Sequence, residues 1–165
     1  MATYTGKQIY LAGAMSARRD RGVRWRRAIT PFLKRQGFEI FDPTVEESRY
    51  LDFLKDNQCD DFHELKVKNA DAYALLMEMV ENHDLELVQK ASHVLFYFDP
   101  PAFKSDGTII EFLRATEWGK EIFVVLNIPK VKIPGWTFRR IERLVKPKGR
   151  LFYSFTDLRV FLKGK

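Results

Sequence analysis

Five consecutive apolar residues, Val94-Leu95-Phe96-Tyr97-Phe98, constrain this chain more than any other feature. A strand with one wet face alternates apolar and polar side chains, whereas an unbroken apolar run needs cover on both faces, as in parallel sheets flanked by helices. Pro100-Pro101 ends the run, and Ile122-Phe123-Val124-Val125-Leu126 repeats it after an apolar helical stretch that stops at Gly119. Gln8-Ile9-Tyr10-Leu11-Ala12, Phe38-Glu39-Ile40-Phe41 and Leu151-Phe152-Tyr153 supply three more short strands. Helical patterns lie between them. Trp25, Ala28, Ile29, Phe32 and Leu33 form one stripe, in which Pro31 should kink or divide the helix. Phe62, Leu65, Tyr73, Leu76, Met77 and Val80 form another, as one long helix or two, and a last helix starts at Thr156. Strand and helix in alternation predict an α/β fold: a flavodoxin-like, Rossmann-like, five-stranded parallel sheet with helices on both faces. Residues 44–60 show only a weak, acidic and aromatic pattern.

At 165 residues the chain is read as a single domain. No apolar run reaches the ~20 residues of a membrane-spanning helix, and the polar start predicts neither a secretory nor a transit peptide, hence a cytoplasmic protein. One cysteine, Cys59, and three scattered histidines, His63, His83 and His93, offer no metal-ligand spacing, so neither a metal nor a cofactor is expected. His83 reads as an exposed helical histidine, and Cys59 with Met77 and Met79 as packing. The net charge of +6 is uneven: residues 1–36 carry nine Lys/Arg against one acid, residues 129–165 eleven against two, and residues 37–128 eight against nineteen. An acidic centre between basic ends points to carboxylate chemistry with an anionic substrate or partner.

In open α/β sheets ligands bind at the carboxyl ends of the strands. After the first strand come Gly13-Ala14-Met15-Ser16-Ala17-Arg18-Arg19, small residues that let backbone approach a ligand, followed by cations. They match neither a dinucleotide fingerprint nor a P-loop. After Phe98, Ser105, Gly107 and Thr108 stand at the entrance of a helix, where free N–H groups and the positive dipole end favour an anion, although a helix cap followed by a glycine turn fits the same residues. Glu111 then lies between Ile109-Ile110 and Phe112-Leu113, and an ionisable group among apolar neighbours needs a partner or a function.

Three segments in order, Ile9-Tyr10-Leu11-Ala12-Gly13, Asp84-Leu85, and Ser105-Asp106-Gly107-Thr108-Ile109-Ile110-Glu111 with Gly119-Lys120, resemble the nucleoside 2-deoxyribosyltransferase superfamily, which also contains nucleotide N-glycosidases. The resemblance covers roughly residues 7–42 and 82–126. It implies that Glu111 is the nucleophile at C1′ of the sugar, Asp84 the acid/base group beside the departing base, and Tyr10 the phenol that orients the nucleophile. Gly13, Ser16, Arg19, Ser105, Gly107 and Thr108 are the expected substrate contacts. Ser105 matches the phosphate-contacting serine of the nucleotide hydrolases and so implies a nucleoside 5′-monophosphate. The same resemblance implies a homodimer or higher homo-oligomer, whose neighbouring subunit would contribute Thr137 or Trp136. Ala14 replaces a second phosphate serine, Asp106 brings negative charge to the supposed phosphate, and residues 43–81 form a helical insertion longer than the family pattern, fit for a lid, a dimer arm or base recognition. The expected activity is cleavage of an N-glycosidic bond through a covalent glycosyl-enzyme, with transfer to a second base as the alternative. A different class, a nucleic-acid-binding module, is suggested by Trp25, Trp136 and Phe138 among the basic ends, but leaves Tyr10, Asp84 and Glu111 without a role.

Overall fold

The computed structural model describes residues 4–164. Five parallel strands, β1 (Lys7–Gly13), β2 (Phe38–Phe41), β3 (His93–Phe98), β4 (Glu121–Leu126) and β5 (Leu151–Phe152), form one sheet in the order β2-β1-β3-β4-β5. This is the flavodoxin-like arrangement expected from the pattern of apolar runs. Strand β3 lies at the centre, in register with β1 (Leu11 beside Leu95) and with β4 (Leu95 beside Phe123). Strand order reverses between β1 and β3, so their carboxyl ends open a crevice there.

The pleat divides the core. Tyr10, Ala12, Val94, Phe96 and Phe98 point to one face, where α5 (Ala70–Lys90) and α6 (Asp106–Glu117) cover them through Val88, Phe112 and Ala115, with Ala91 just past the end of α5. Ile9, Leu11, Leu95, Phe123 and Val125 point to the other, beneath α1 (Val23–Arg35) and α8 (Phe155–Lys163). Both sides of β3 are therefore dry, as its composition demands. Pro31 does not divide α1. It takes an exposed position, where the carbonyl deprived of its donor meets water.

The stretch that reads as nearly patternless after β2 is helical. Asp42 caps α2 (Pro43–Glu46) by accepting from the Thr44 N–H at 2.9 Å, with Pro43 in the first turn, where a missing N–H costs nothing. A 3-10 turn, Glu47–Tyr50, leads into α3 (Leu51–Asp56), and Asp61 caps α4 (Phe62–Lys68). Asn69 then ends α4 and caps α5 by accepting from the Ala72 N–H at 3.1 Å, so the long apolar pattern is two helices. Tyr50, Leu54, Cys59, Leu65 and Leu76 close a small apolar cluster of their own. These elements are too short to carry a clear periodic signal, and this satellite core decides their conformation. After β4, α7 (Gly135–Arg140) leads toward β5. Among the described residues no helix is long and apolar enough to cross a membrane.

Candidate active site

A cavity of about 500 Å³ opens at the crevice between the ends of β1 and β3, a size typical of small-molecule sites. Its floor is Glu111, from the inward face of α6, and Asp84, from α5. Glu111 is only 8% exposed. Beneath it, Tyr10 of β1 is fully buried and donates its phenolic hydrogen to Glu111 Oε1 at 2.6 Å. A second cavity of about 200 Å³ between α5 and α6, bounded by Met77, Val80, Leu85 and Ile110, reaches the same two carboxyl groups from the other side.

Electrostatics set these carboxyl groups apart from the surface acids. Burial pushes Asp84 up to about 7, Arg26 opposes the rise, and Glu47 and Glu46 add to it. Burial pushes Glu111 up to about 8, reinforced by the charge of Asp84 and opposed by the Tyr10 hydrogen bond and by Arg26. Buried carboxyl groups, one of them raised further by its neighbour's charge, retain a proton near neutral pH. The bond from Tyr10 favours the ionised form of Glu111 and offsets part of its rise, yet Glu111 holds its proton to the higher pH of the two. A nucleophile and an acid in the sense of a retaining glycosidase need one anionic and one protonated carboxyl group, the combination that values of about 7 and about 8 allow between them.

The walls come from three places. The loop after β1 supplies Gly13, Met15 and Ser16, and a β-carbon at Gly13 would sit 3.0 Å from the Trp25 ring and 3.3 Å from the Tyr97 carbonyl, so only glycine leaves this turn undisturbed. The entrance of α6 supplies Ser105, Gly107 and Thr108. No side chain caps that helix: the Ser105 hydroxyl accepts from the Thr108 hydroxyl at 3.3 Å, which leaves first-turn N–H groups at the cavity wall. The third wall is residues 43–81, whose Tyr50, Phe62, Tyr73 and Met77 give an apolar and aromatic surface across from the carboxyl pair.

One expected contact of this chain, Arg19, lies elsewhere, and Thr137 is expected at the site only from a neighbouring subunit. Arg19 does not line the cavity, and neither does Thr137, which is buried in α7. Nor is Arg18 free to meet an anion, since Asp20, at 3.0 Å, and Asp99 engage it. The cations at the wall are Arg21, paired with Glu47, together with Lys66 and Lys104. Asp106 stands on the wall as well, with Glu46 and Glu47. His83 is not a free surface histidine: its ring is half-buried and lies 3.4 Å from Glu46, with Arg49 beside it.

No protein-family model and no curated protein matches the sequence. Solved structures do. A 2-desoxiribosyltransferase from Leishmania mexicana superposes with TM-score 0.50 at 17% identity, over 76% of this chain and 69% of that one. A 2-deoxyribosyltransferase from Bacillus psychrosaccharolyticus superposes with TM-score 0.54 at 16% identity, over 92% of this chain and 90% of that one. The chain has the 2-deoxyribosyltransferase fold. Within that fold, Tyr10, Asp84 and Glu111 come from three separate elements and meet at one point.

Sequence reasoning passed over Arg26 and the aromatic wall. Arg26 had a legible signal: it precedes Ile29 by three residues and Leu33 by seven, which places it inside the apolar stripe, unlike its neighbours Arg24 and Arg27. Tyr50 and Phe62 had none, because their orientation depends on the satellite core.

Proposed function

We propose that this protein cleaves the N-glycosidic bond of a nucleoside 5′-monophosphate through a covalent glycosyl-enzyme on Glu111. The buried group of Tyr10, Asp84 and Glu111 at a nucleoside-sized cavity carries the proposal. The Glu111 carboxylate forms a bond to C1′ of the sugar as the C1′–N bond breaks and its electron pair leaves with the base. Asp84 gives its proton to that base. Water then attacks C1′, the Asp84 carboxylate takes a proton from it, and the C1′–Glu111 bond breaks to release sugar phosphate and free enzyme. The aromatic wall of Tyr50, Phe62 and Tyr73 suits a flat base, which stacks on rings. The entrance of α6, with Ser105, Thr108 and Lys104, suits the 5′ phosphate.

A second reading, transfer of the sugar to another base from a free nucleoside, is favoured by Asp106 on the same wall and by the names of the two solved neighbours. A carboxylate accepts a hydrogen bond from a 5′-hydroxyl and repels a phosphate. The proposal includes a homo-oligomer: Trp136, 79% exposed, and Val131, 93% exposed, leave apolar surface after β4 of the kind a second copy covers. A nucleic-acid-binding role loses one of its supports, because Trp25 is a core residue stacked on Phe155 at 5.8 Å and offers no face to a base.

The test is a panel of nucleosides and their 5′-monophosphates, with free base followed by chromatography, with and without an added acceptor base. Base release from monophosphates into water is the expected result. Release that requires an acceptor base would move the reaction to transfer, and no release from any member would remove the glycosidase reading.

A further inference from the structure

The mechanism above leaves a fully buried cation unused. Arg26 has no exposed surface, yet it carries a guanidinium. Its Nε donates to the Leu11 carbonyl at 3.1 Å, Nη1 to the Gly22 carbonyl at 3.2 Å and Nη2 to the Gly13 carbonyl at 2.9 Å. The plane rests 4.5 Å from the Trp25 ring, and Asp42, at the end of β2, lies 3.6 Å from Nε. Gly22, at φ +73°, is the turn that admits it: a β-carbon there would overlap both Arg26 and the Ala14 carbonyl. For packing alone this is an expensive arrangement. Taking a guanidinium out of water carries a large desolvation penalty, and a well-packed apolar side chain of similar volume does as well or better.

What distinguishes the position is the set of groups around it. Tyr10 of β1, Asp84 of α5, Glu111 of α6 and Asp42 after β2 all feel the charge of Arg26. Glu46, Glu47 and Tyr50, from the segment after β2, face Asp84. The guanidinium is the cation shared by Tyr10, Asp84 and Glu111, while Arg21 pairs with Glu47, and Arg49 and His83 lie against Glu46. The carbonyls of Leu11 and Gly13 that hold it belong to the end of β1, the segment that brings Gly13 and Ser16 to the cavity wall.

We propose that Arg26 is a positioning residue of this site, which pins the carboxyl end of β1 through the Leu11 and Gly13 carbonyls and supplies the fixed positive charge that lets one member of the Asp84–Glu111 pair remain a carboxylate in a dry setting. The proposal rests on the reading of that pair given above. Asp42 is the counterweight: it neutralises part of the Arg26 charge, so the pair feels the remainder.

The titration of the ligand-free protein tests this without any assumption about substrate. The infrared band of protonated carboxyl groups, assigned with Glu111→Gln and Asp84→Asn, follows the pair from pH 5 to pH 10. In Arg26→Gln the band should persist to a pH higher by about one unit or more, the scale of losing an opposite charge at close range. Asp42→Asn keeps the three carbonyl bonds, and asparagine caps a helix as well as aspartate does; the band should then fade at lower pH than in the wild type. Opposite shifts in the two variants are what a purely structural arginine would not produce. A midpoint unmoved in folded Arg26→Gln, or one that stays or rises in Asp42→Asn, would overturn the proposal, and the second variant decides if the first does not fold. The acid limb of the kcat profile should move with the band. If no variant and no wild-type protein releases base, the glycosidase reading fails while the titration still decides the role of Arg26.

Discussion

The hydroxyl of Tyr10 on the first strand donates a 2.6 Å hydrogen bond to Oε1 of Glu111, 101 residues further along the chain. Both groups are buried, and burial together with the Glu111 charge drives the Tyr10 phenol well above its ordinary value, so it remains a donor at any working pH. A donor that cannot ionise fixes the direction of this bond and leaves the second oxygen of Glu111 for the cavity.

Glu111→Gln keeps the size of the side chain and an acceptor for Tyr10 while removing the proposed nucleophile. The protein should fold normally and lose at least ~100-fold in kcat, the scale of one strong transition-state interaction. Unchanged turnover in a panel assay would exclude Glu111 from the bond-forming step.

Asp84→Asn removes the proposed proton donor. Its effect should depend on the substrate: a loss of roughly 100-fold for ordinary bases, and a much smaller one for substrates whose base departs without protonation. A uniform loss across leaving groups of different basicity would contradict the acid role.

Stability should fall as pH rises through the neutral range. The unfolded chain releases the Asp84 and Glu111 protons near 4, whereas the folded protein holds them to about 7 and about 8. Between those limits the native state binds more protons, so the slope of stability against pH is negative and flattens above pH 8. Glu111→Gln has nothing to ionise at this position. Its Tm should match the wild type near pH 4 and exceed it by several degrees, on the order expected for 1–2 kcal/mol, at pH 8.5. A Tm difference independent of pH would show that Glu111 is ionised at no cost in the folded state.

Ser105 and Asp106 compete for the meaning of the 5′ end. Hydrogen bonds to charged groups contribute roughly 1.5–3 kcal/mol each, so a serine contact to phosphate implies that Ser105→Ala lowers kcat/KM for the monophosphate by about tenfold and leaves the nucleoside nearly unaffected. Asp106→Asn should raise the monophosphate rate, by removal of a like charge. If the wild type prefers the free nucleoside and Asp106→Asn reverses the preference, the 5′-hydroxyl is the natural partner of this wall.

The amino-acid order of this chain determines its sheet almost completely, because a run such as Val94–Phe98 is stable only where both faces are covered, and five short runs separated by helical stripes admit few topologies. It also marks Glu111, since a carboxyl group between Ile109-Ile110 and Phe112-Leu113 cannot avoid apolar neighbours. Other features depend on distance across the fold. Arg18 and Arg19 look alike in sequence, yet Asp99, 81 residues past Arg18, helps hold that side chain, while Arg19 stays outside the cavity. Residues 43–68 have helical turns too short to be read from periodicity, and only the cluster around Tyr50, Leu65 and Leu76 turns them into a wall. Arg26 is the sharpest case: the stripe puts it inward, but its charge acquires a purpose only where the ends of β1 and β2 bring it among Asp42, Asp84 and Glu111. Local pattern records what a residue must avoid, namely water or its absence. Which charges then share the same dry volume is decided by tertiary packing, because electrostatic coupling acts through space and not along the chain.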